Sequence, residues 1–300
     1  MLDLLIMYVI MAGVFTFGKQ AVLNSSPFFL TAVRYIPAGL IFMAGTYFFA
    51  RKKFYLSSRL LPAIAGVTFF FFLMDSFRLI ALRTIPSSHG ALVNSLSPFI
   101  AALFANLVFK ERFTLKKLIA LCIGFFGVLP LILQNLLLTP VTLTCSPLTQ
   151  LGGYATLLVS SLSAVVGSFF LKQLVDREKY PIFMSIGIPL FLGGVLALIC
   201  SLVLEPWNPI PVTNMSVALP LIAVLLVTHN LIAQPLFGYL VKKYPVTLVT
   251  FATLITPLAT AVLGRCLYGQ EIGYVFIFSL ITLLASFYLF YHEEQKEGLI

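Results

Sequence analysis

The chain has 300 residues, of which 60% are hydrophobic and 10% charged; its net charge is +9 and its mean hydropathy +1.04. Soluble globular domains carry roughly a quarter charged residues, so this composition excludes them and identifies an integral membrane protein. The period-two alternation of a membrane barrel is absent, which leaves helices as the spanning structure.

A crossing takes about 20 apolar residues as a helix. Apolar runs bounded by charges or by Pro, Asn and Ser clusters predict ten helices, over 4–22, 28–50, 60–82, 87–109, 116–135, 152–174, 181–204, 216–240, 246–268 and 272–291. Helix 1 carries Lys19 near its end and helix 2 carries Arg34; the loop that follows holds Arg51, Lys52, Lys53 and Arg59. Helix 3 contains Asp75 and Arg78, and helix 4 contains His89, Asn94, Ser97 and Pro98 before a second basic loop with Lys110, Arg112, Lys116 and Lys117. After helix 5 the loop LLTPVTLTCSPLTQ has no charge; after helix 6 come Arg177 and Lys179; after helix 7 the loop EPWNPIPVTNMS has only Glu205. Helix 8 carries His229, Asn230 and Gln234 and ends near Lys242 and Lys243, and helix 9 contains Pro257.

Every basic loop follows an even-numbered helix, so both termini are expected in the cytoplasm of a multi-pass protein of the cell inner membrane. The same rule accounts for the net charge without nucleic acid. Cys122, Cys145, Cys200 and Cys266 are dispersed and show neither metal-ligand nor redox spacing. The N-terminus lacks a basic n-region and an A-x-A-like site, which predicts a retained first span.

The chain repeats itself. Shifted by 159 positions, Pro86 falls on Pro245, Pro98 on Pro257 and Leu96-Ser97-Pro98 on Ile255-Thr256-Pro257; Arg83 meets Lys242, and Glu111 meets Glu271 after one inserted residue. This predicts two units of five helices, residues 1–140 and 141–300, with the seam in the polar loop after helix 5. Five is odd, so the second unit enters the membrane from the opposite side. Inverted repeats are the architecture of many secondary carriers, with substrate at the interface of the halves near the midplane.

Ionisable groups inside a span are costly and are functional candidates by default. Asp75 and Arg78 are three apart on one helix face; with Arg34, Lys19 and His89 they are expected in one polar layer within about 10 Å of the outer boundary. One reading is an outward vestibule in which Arg34 or Lys19 binds an anionic group while Asp75 receives an ammonium, a sulfonium or a proton. The other is a structural Asp75–Arg78 ion pair, with Lys19 and Arg78 reaching to headgroups. The repeat places Gln234 opposite Asp75, with Asn230 one turn earlier on the same face and His229 pointing elsewhere. Their amides either bind substrate or bridge helices. Asn94 and Ser97 are candidates for the same cavity, and His89 and His229 either relay protons or are satisfied by neighbouring helices. Pro98 and Pro257 each remove a helical donor mid-span, which makes them kinks or matched hinges. The abundant Phe and Tyr residues mostly face lipid, since the Phe69–Phe72 run cannot all point inward; a minority could stack on a flat ring or a cation.

Gly18-Lys19 with Pro27 and Arg34, the stretch ALRTIPSSHGALVNSLSPF, Lys110-Glu111-Arg112 with Leu115, and the Pro245, Pro257 and Glu271 frame together resemble the drug/metabolite transporter superfamily, in its ten-helix EamA-type branch. The resemblance implies a carrier whose cavity is lined by helices 1–4 and 6–9, with helices 5 and 10 peripheral. It also implies a small-molecule substrate, which in this family ranges over amino acids, nucleotide sugars, nucleosides, sugar phosphates and drugs. Positive groups, one acid, amides and aromatics suit a zwitterion with a flat ring. The most specific expectation is S-adenosylmethionine exchanged for S-adenosylhomocysteine, similar to family members of obligate intracellular bacteria; the alternative is a proton-coupled exporter of amino acids or drugs. No cofactor and no metal are implied, and a homodimer is compatible with the pattern. An intramembrane enzyme is disfavoured because Asp75 is the only acid deep in a span and HExxH is absent. A scaffold bundle would have a closed core without a polar cavity, and a channel would need rings of charge.

Overall fold

A computed structural model of the chain describes residues 2–51, 54–55, 57–109, 115–138, 147–244, 249, 253, 255–269 and 271–296. Twelve α-helices occur among them: α1 Leu2–Leu23, α2 Pro27–Phe49, α3 Leu61–Thr84, α4 Ser87–Asn94, α5 Ser97–Phe109, α6 Leu115–Leu138, α7 Pro147–Lys172, α8 Ile182–Leu204, α9 Met215–Leu225, α10 Gln234–Lys243, α11 Ile255–Tyr268 and α12 Tyr274–Lys296. Six helical stretches are long and apolar enough to cross a membrane: 6–23, 27–49, 58–84, 148–176, 182–204 and 215–243. Shorter apolar helices include 255–268 and 274–286. Pro245, Lys110, Glu111, Arg112 and Cys145 lie outside the described residues.

Helix starts follow local chemistry. Pro27 opens α2 after the extended Ser26, Pro86 precedes α4 and Pro181 precedes α8, positions where the missing N–H costs no intrahelical bond. The free N–H groups of Phe28 and Phe29 donate to the two carboxylate oxygens of Glu205, at 2.7 and 2.9 Å.

Two predicted helices are interrupted. The run 87–109 is split into α4 and α5 at Ser95–Leu96. The run 216–240 is joined through a π-helical segment, Leu226–Ala233, between α9 and α10. A second π turn, Gln173–Arg177, ends α7.

Lipid-facing surfaces are apolar: Phe48, Phe49, Phe126, Leu202 and Val203 are all well exposed. In the Phe69–Phe72 run, Phe69 is half exposed while Phe71 and Phe72 are buried. Inside, α2 packs on α8, α3 on α7, α6 on α12 and α4 on α11; α1 packs on α9 and the π segment, and also on α11, while α7 also meets α4 and α5. The α2–α8 contact is backbone to backbone. A methyl group on Gly39 would come within 2.5 Å of the Phe191 nitrogen and 2.7 Å of the Gly187 oxygen, and one on Gly194 within 2.8 Å of the Ile36 nitrogen. Small residues are what allow helices to approach this closely in a membrane.

The ends of the bundle differ. At one, Ser25 and Val212 form an antiparallel bridge, with Ser26 N–H donating to Pro211 O (2.9 Å) and Thr213 N–H to Asn24 O (2.9 Å). Trp207 packs edge-on against Phe29 there, 5.6 Å between ring centres. The other end gathers the bases: Lys172 Nζ donates to the carbonyls of Val241 and Tyr244 (both 3.1 Å), Lys243 pairs with Asp3 (3.0 Å) and Arg59 with Glu178 (3.5 Å).

Candidate functional site

The ionisable residues of the first half converge on Asp75. Arg34, on α2, donates from Nε to the carbonyl of Leu30 (3.0 Å) and from Nη2 to Asp75 Oδ2; its Nη1 lies 3.5 Å from His229 Nδ1. The second Asp75 oxygen, Oδ1, accepts from Nη2 of Arg78, one turn along α3. Arg34 and Asp75 are wholly inaccessible and Arg78 is 6% exposed. Two guanidinium groups share one carboxylate, so these three side chains carry a net charge of +1. Desolvated charges this deep persist only when paired and hydrogen-bonded.

Beside the cluster is a cavity of about 80 Å³, roomy enough for several water molecules. Its polar lining includes Arg78, Asn94, Ser97, His229, Gln234 and Thr256; Tyr8, Phe15, Phe71 and Phe237 supply aromatic walls. Arg78 lies over the Phe15 ring, 5.7 Å from guanidinium carbon to ring centre, within the range of a cation–π contact. Arg78 Nε, His229 Nε2 and Thr256 Oγ1 have no hydrogen-bond partner among the described residues. Each such atom costs about 1–3 kcal/mol when buried unpaired, a cost that a rearrangement opening these atoms to the cavity would relieve.

The arrangement departs from the sequence expectation in four places. Arg34 and Asp75 do not line the cavity; they stand behind Arg78, and neither is accessible to solvent. Residues of α2 and α8 are absent from the lining, because the glycine contact brings those helices together outside it. Lys19 is not in the polar layer either: its Nζ donates to the carbonyl of Ile85 (2.8 Å), at the C-terminal end of α3 where a cation is favoured. In the second half the lining residues are His229 and Gln234, not Asn230 and Gln234. Four-residue spacing shares a face in an α-helix, but here the Gln234 N–H bonds the His229 carbonyl in the wider π turn, which aligns residues five apart. Asn230 is consequently absent from the lining, and both its amide atoms lack partners among the described residues.

His89 is half-buried on α4 with Nδ1 3.1 Å from the Tyr154 hydroxyl of α7, away from the cavity lining. Asn94 accepts at Oδ1 from the Ser161 hydroxyl (3.2 Å).

The two prolines share one chemistry. Pro98 cannot donate to the carbonyl four residues back, that of Asn94, and the Ser97 hydroxyl donates to it instead. Pro257 similarly leaves the carbonyl of Thr253, and the Ser95 hydroxyl lies 3.3 Å from that oxygen and 3.0 Å from Ala91 O. The break at Ser95–Leu96 thus reaches across to a proline-freed carbonyl of the other half, next to the cavity that Ser97, Thr253 and Thr256 line. Ser95 was not foreseen; its place beside a proline-freed carbonyl of the other half is not visible in the local sequence.

A bundle of apolar helices around a small, largely apolar cavity, with a net-positive cluster at its edge and interrupted helices beside it, defines a multi-pass helical membrane protein of the solute-carrier type. The model of the EamA-like transporter family matches residues 1–133 and 151–292, and the chain belongs to that family. It is 28% identical over 293 residues to the S-adenosylmethionine/S-adenosylhomocysteine transporter of Chlamydia muridarum (strain MoPn / Nigg), covering 95% of this chain and 89% of that one. The transporter of the same name from Chlamydia trachomatis serovar L2 is 28% identical over 289 residues, covering 95% of this chain and 87% of the relative. A solved crystal structure superposes with a TM-score of 0.69 at 15% identity, over 95% of this chain and 94% of that one, and so shares the fold.

Proposed function

We propose that this protein exchanges S-adenosylmethionine for S-adenosylhomocysteine across a bacterial inner membrane by alternating access. The observation that carries this reading is Arg78: a guanidinium in a cluster of net charge +1 that lines a cavity walled by aromatic rings. An amino-acid carboxylate matches the guanidinium, and a sulfonium or an adenine matches the ring faces. The names of the chlamydial relatives point to the same substrates. Asn94, His229 and Gln234 would meet the remaining polar groups, with Arg34 and Asp75 orienting Arg78 from behind. At about 80 Å³ the cavity is well below the roughly 300–1,000 Å³ of small-molecule sites, so the halves must part to load it.

The same reading takes the chain as ten spans in two inverted repeats, 1–140 and 141–300, with both termini cytoplasmic. Two observations support it. The family model matches in two successive blocks. The helix pairings are also unchanged when the halves are exchanged: α3 with α7 becomes α9–α10 with α1, α11 with α1 becomes α4–α5 with α7, and the α2–α8, α6–α12 and α4–α11 pairs map onto themselves. Pro98 and Pro257 would serve as the matched hinges.

The test is uptake of labelled S-adenosylmethionine into proteoliposomes preloaded with S-adenosylhomocysteine. Arg78→Gln removes a charged hydrogen-bonding group, worth about 1.5–3 kcal/mol, and should lower uptake at subsaturating substrate about 10- to 150-fold. Arg83→Gln, at the exposed end of α3, should not. Uptake that does not require the internal S-adenosylhomocysteine would refute exchange, and equal effects of the two substitutions would remove Arg78 from the site.

A further inference from the structure

A second space lies at the basic end of the bundle. There the C-terminal part of α2 runs on past the start of α8, beyond the Phe42–Phe183 ring contact at 5.6 Å, and borders a recess of about 840 Å³. Its walls are apolar: Phe42 is buried at the back, and Ile41, Phe49 and Phe183 are 49%, 93% and 54% exposed on the surface that faces lipid. Its rim carries Lys179 and Lys242, with Tyr55 and Tyr180 stacked edge to face at 5.1 Å.

The charge pattern around the rim is unbalanced. Among the described residues three acids of this end are already engaged: Asp3 with Lys243, Asp176 with Lys172 and Glu178 with Arg59. Lys179 and Lys242 have no carboxylate within ion-pair distance among the described residues. Two free ammonium groups therefore stand above an apolar, aromatic trough at the level where tyrosines favour the membrane interface. A soluble anion would use the lysines and leave the trough empty. An amphiphile with a phosphate and an acyl chain would use both.

We propose that this recess is a binding site for an anionic phospholipid, its headgroup phosphate held by Lys179 and Lys242 and one acyl chain laid against Phe42, Phe49 and Phe183. The site is distinct from the central cavity, and the assignment does not rest on the identity of the transported substrate. Basic pockets between transmembrane helices recognise anionic headgroups in this way, each lysine contributing a factor of about five in affinity.

The test is native mass spectrometry of the full chain in neutral detergent, titrated with phosphatidylglycerol or phosphatidylcholine of the same acyl chains. Phosphatidylglycerol should bind at least tenfold more tightly. Lys179→Gln/Lys242→Gln should lower that affinity roughly 25-fold. Arg51→Gln/Lys116→Gln removes the same charge from residues outside the recess and should leave binding unchanged. Equal affinity for the two lipids, or equal losses in the two double variants, would overturn the proposal. So would displacement of phosphatidylglycerol by glycerol 3-phosphate at comparable concentration, which would make this a site for free phosphate esters.

Discussion

Replacing Asp75 by Asn tests whether one carboxylate holds the buried cluster together. The isosteric amide keeps the shape of the side chain and removes the charge that Arg34 and Arg78 share. Both guanidinium groups are left with no counter-charge in a site where Arg34 is 0% and Arg78 6% exposed. Removing one partner of a buried ion pair costs about 3–5 kcal/mol. At roughly 2–4 °C per kcal/mol, the melting temperature of the detergent-purified protein, followed by size-exclusion chromatography after heating, should fall by about 6–20 °C. Arg34→Met leaves the Asp75–Arg78 pair intact and should cost less than Asp75→Asn. Adding Arg34→Met to Asp75→Asn should recover part of the loss, since it removes the more deeply buried stranded cation and leaves Arg78 beside the cavity, where water can reach it. A melting temperature for Asp75→Asn within about 1 °C of wild type, or a double variant less stable than Asp75→Asn alone, would refute the shared-carboxylate account.

Further outcomes are expected elsewhere. Asn230→Leu removes two buried amide atoms that lack partners among the described residues and should raise stability by about 1–3 kcal/mol, read in the same melting assay; a loss of stability would mean that the amide is satisfied. Gly39→Leu drives a side chain into the backbone of α8 and should abolish the monodisperse peak in size-exclusion chromatography, whereas Gly45→Leu, which has open space around it, should not. Ser25 and Val212 face each other between two flanking hydrogen bonds, a register with Cα atoms about 4.5 Å apart and within reach of a disulfide. Oxidised Ser25→Cys/Val212→Cys should therefore stop uptake, and reductant should restore it; uptake indifferent to oxidation would show that this end need not open. Glu205→Gln keeps an acceptor but loses the charge at the start of α2 and should lower stability by about 0.5–2 kcal/mol, again by melting temperature.

Much of this was legible in the sequence because hydrocarbon is an unforgiving solvent. Arg34, Asp75 and Arg78 stand out as charges in apolar runs, and the structure brings all three into one cluster. Pro98 marks a freed carbonyl, and the helix does break three residues before it. The phase of the second half was not legible. An α-helical spacing pairs Asn230 with Gln234, and nothing in LVTHNLIA announces the π turn that puts His229 in that place. Lys19 was misplaced because a lysine near a helix end has several carbonyls and headgroups within reach, and the sequence does not say that the end of α3 is the nearest. Glu205 was visible as the one charge of its loop, yet its two partners lie more than 170 positions away. The glycines of α2 and α8 were equally silent, since close approach is a property of two surfaces and each helix shows only one.

That glycine seam also fixes how the molecule can bend. Two rods touching bone to bone have little room to slide, but they can pivot, and Gly39 against Gly187 is the fulcrum. Ten residues separate Gly39 from Phe49, a lever arm of about 15 Å, so a 10° tilt would swing the far tip by about 2.6 Å. The side pocket lies beside the free tip of that lever, past the point where Phe42 and Phe183 meet ring to ring at 5.6 Å, so an occupant there would press on the end of α2 alone.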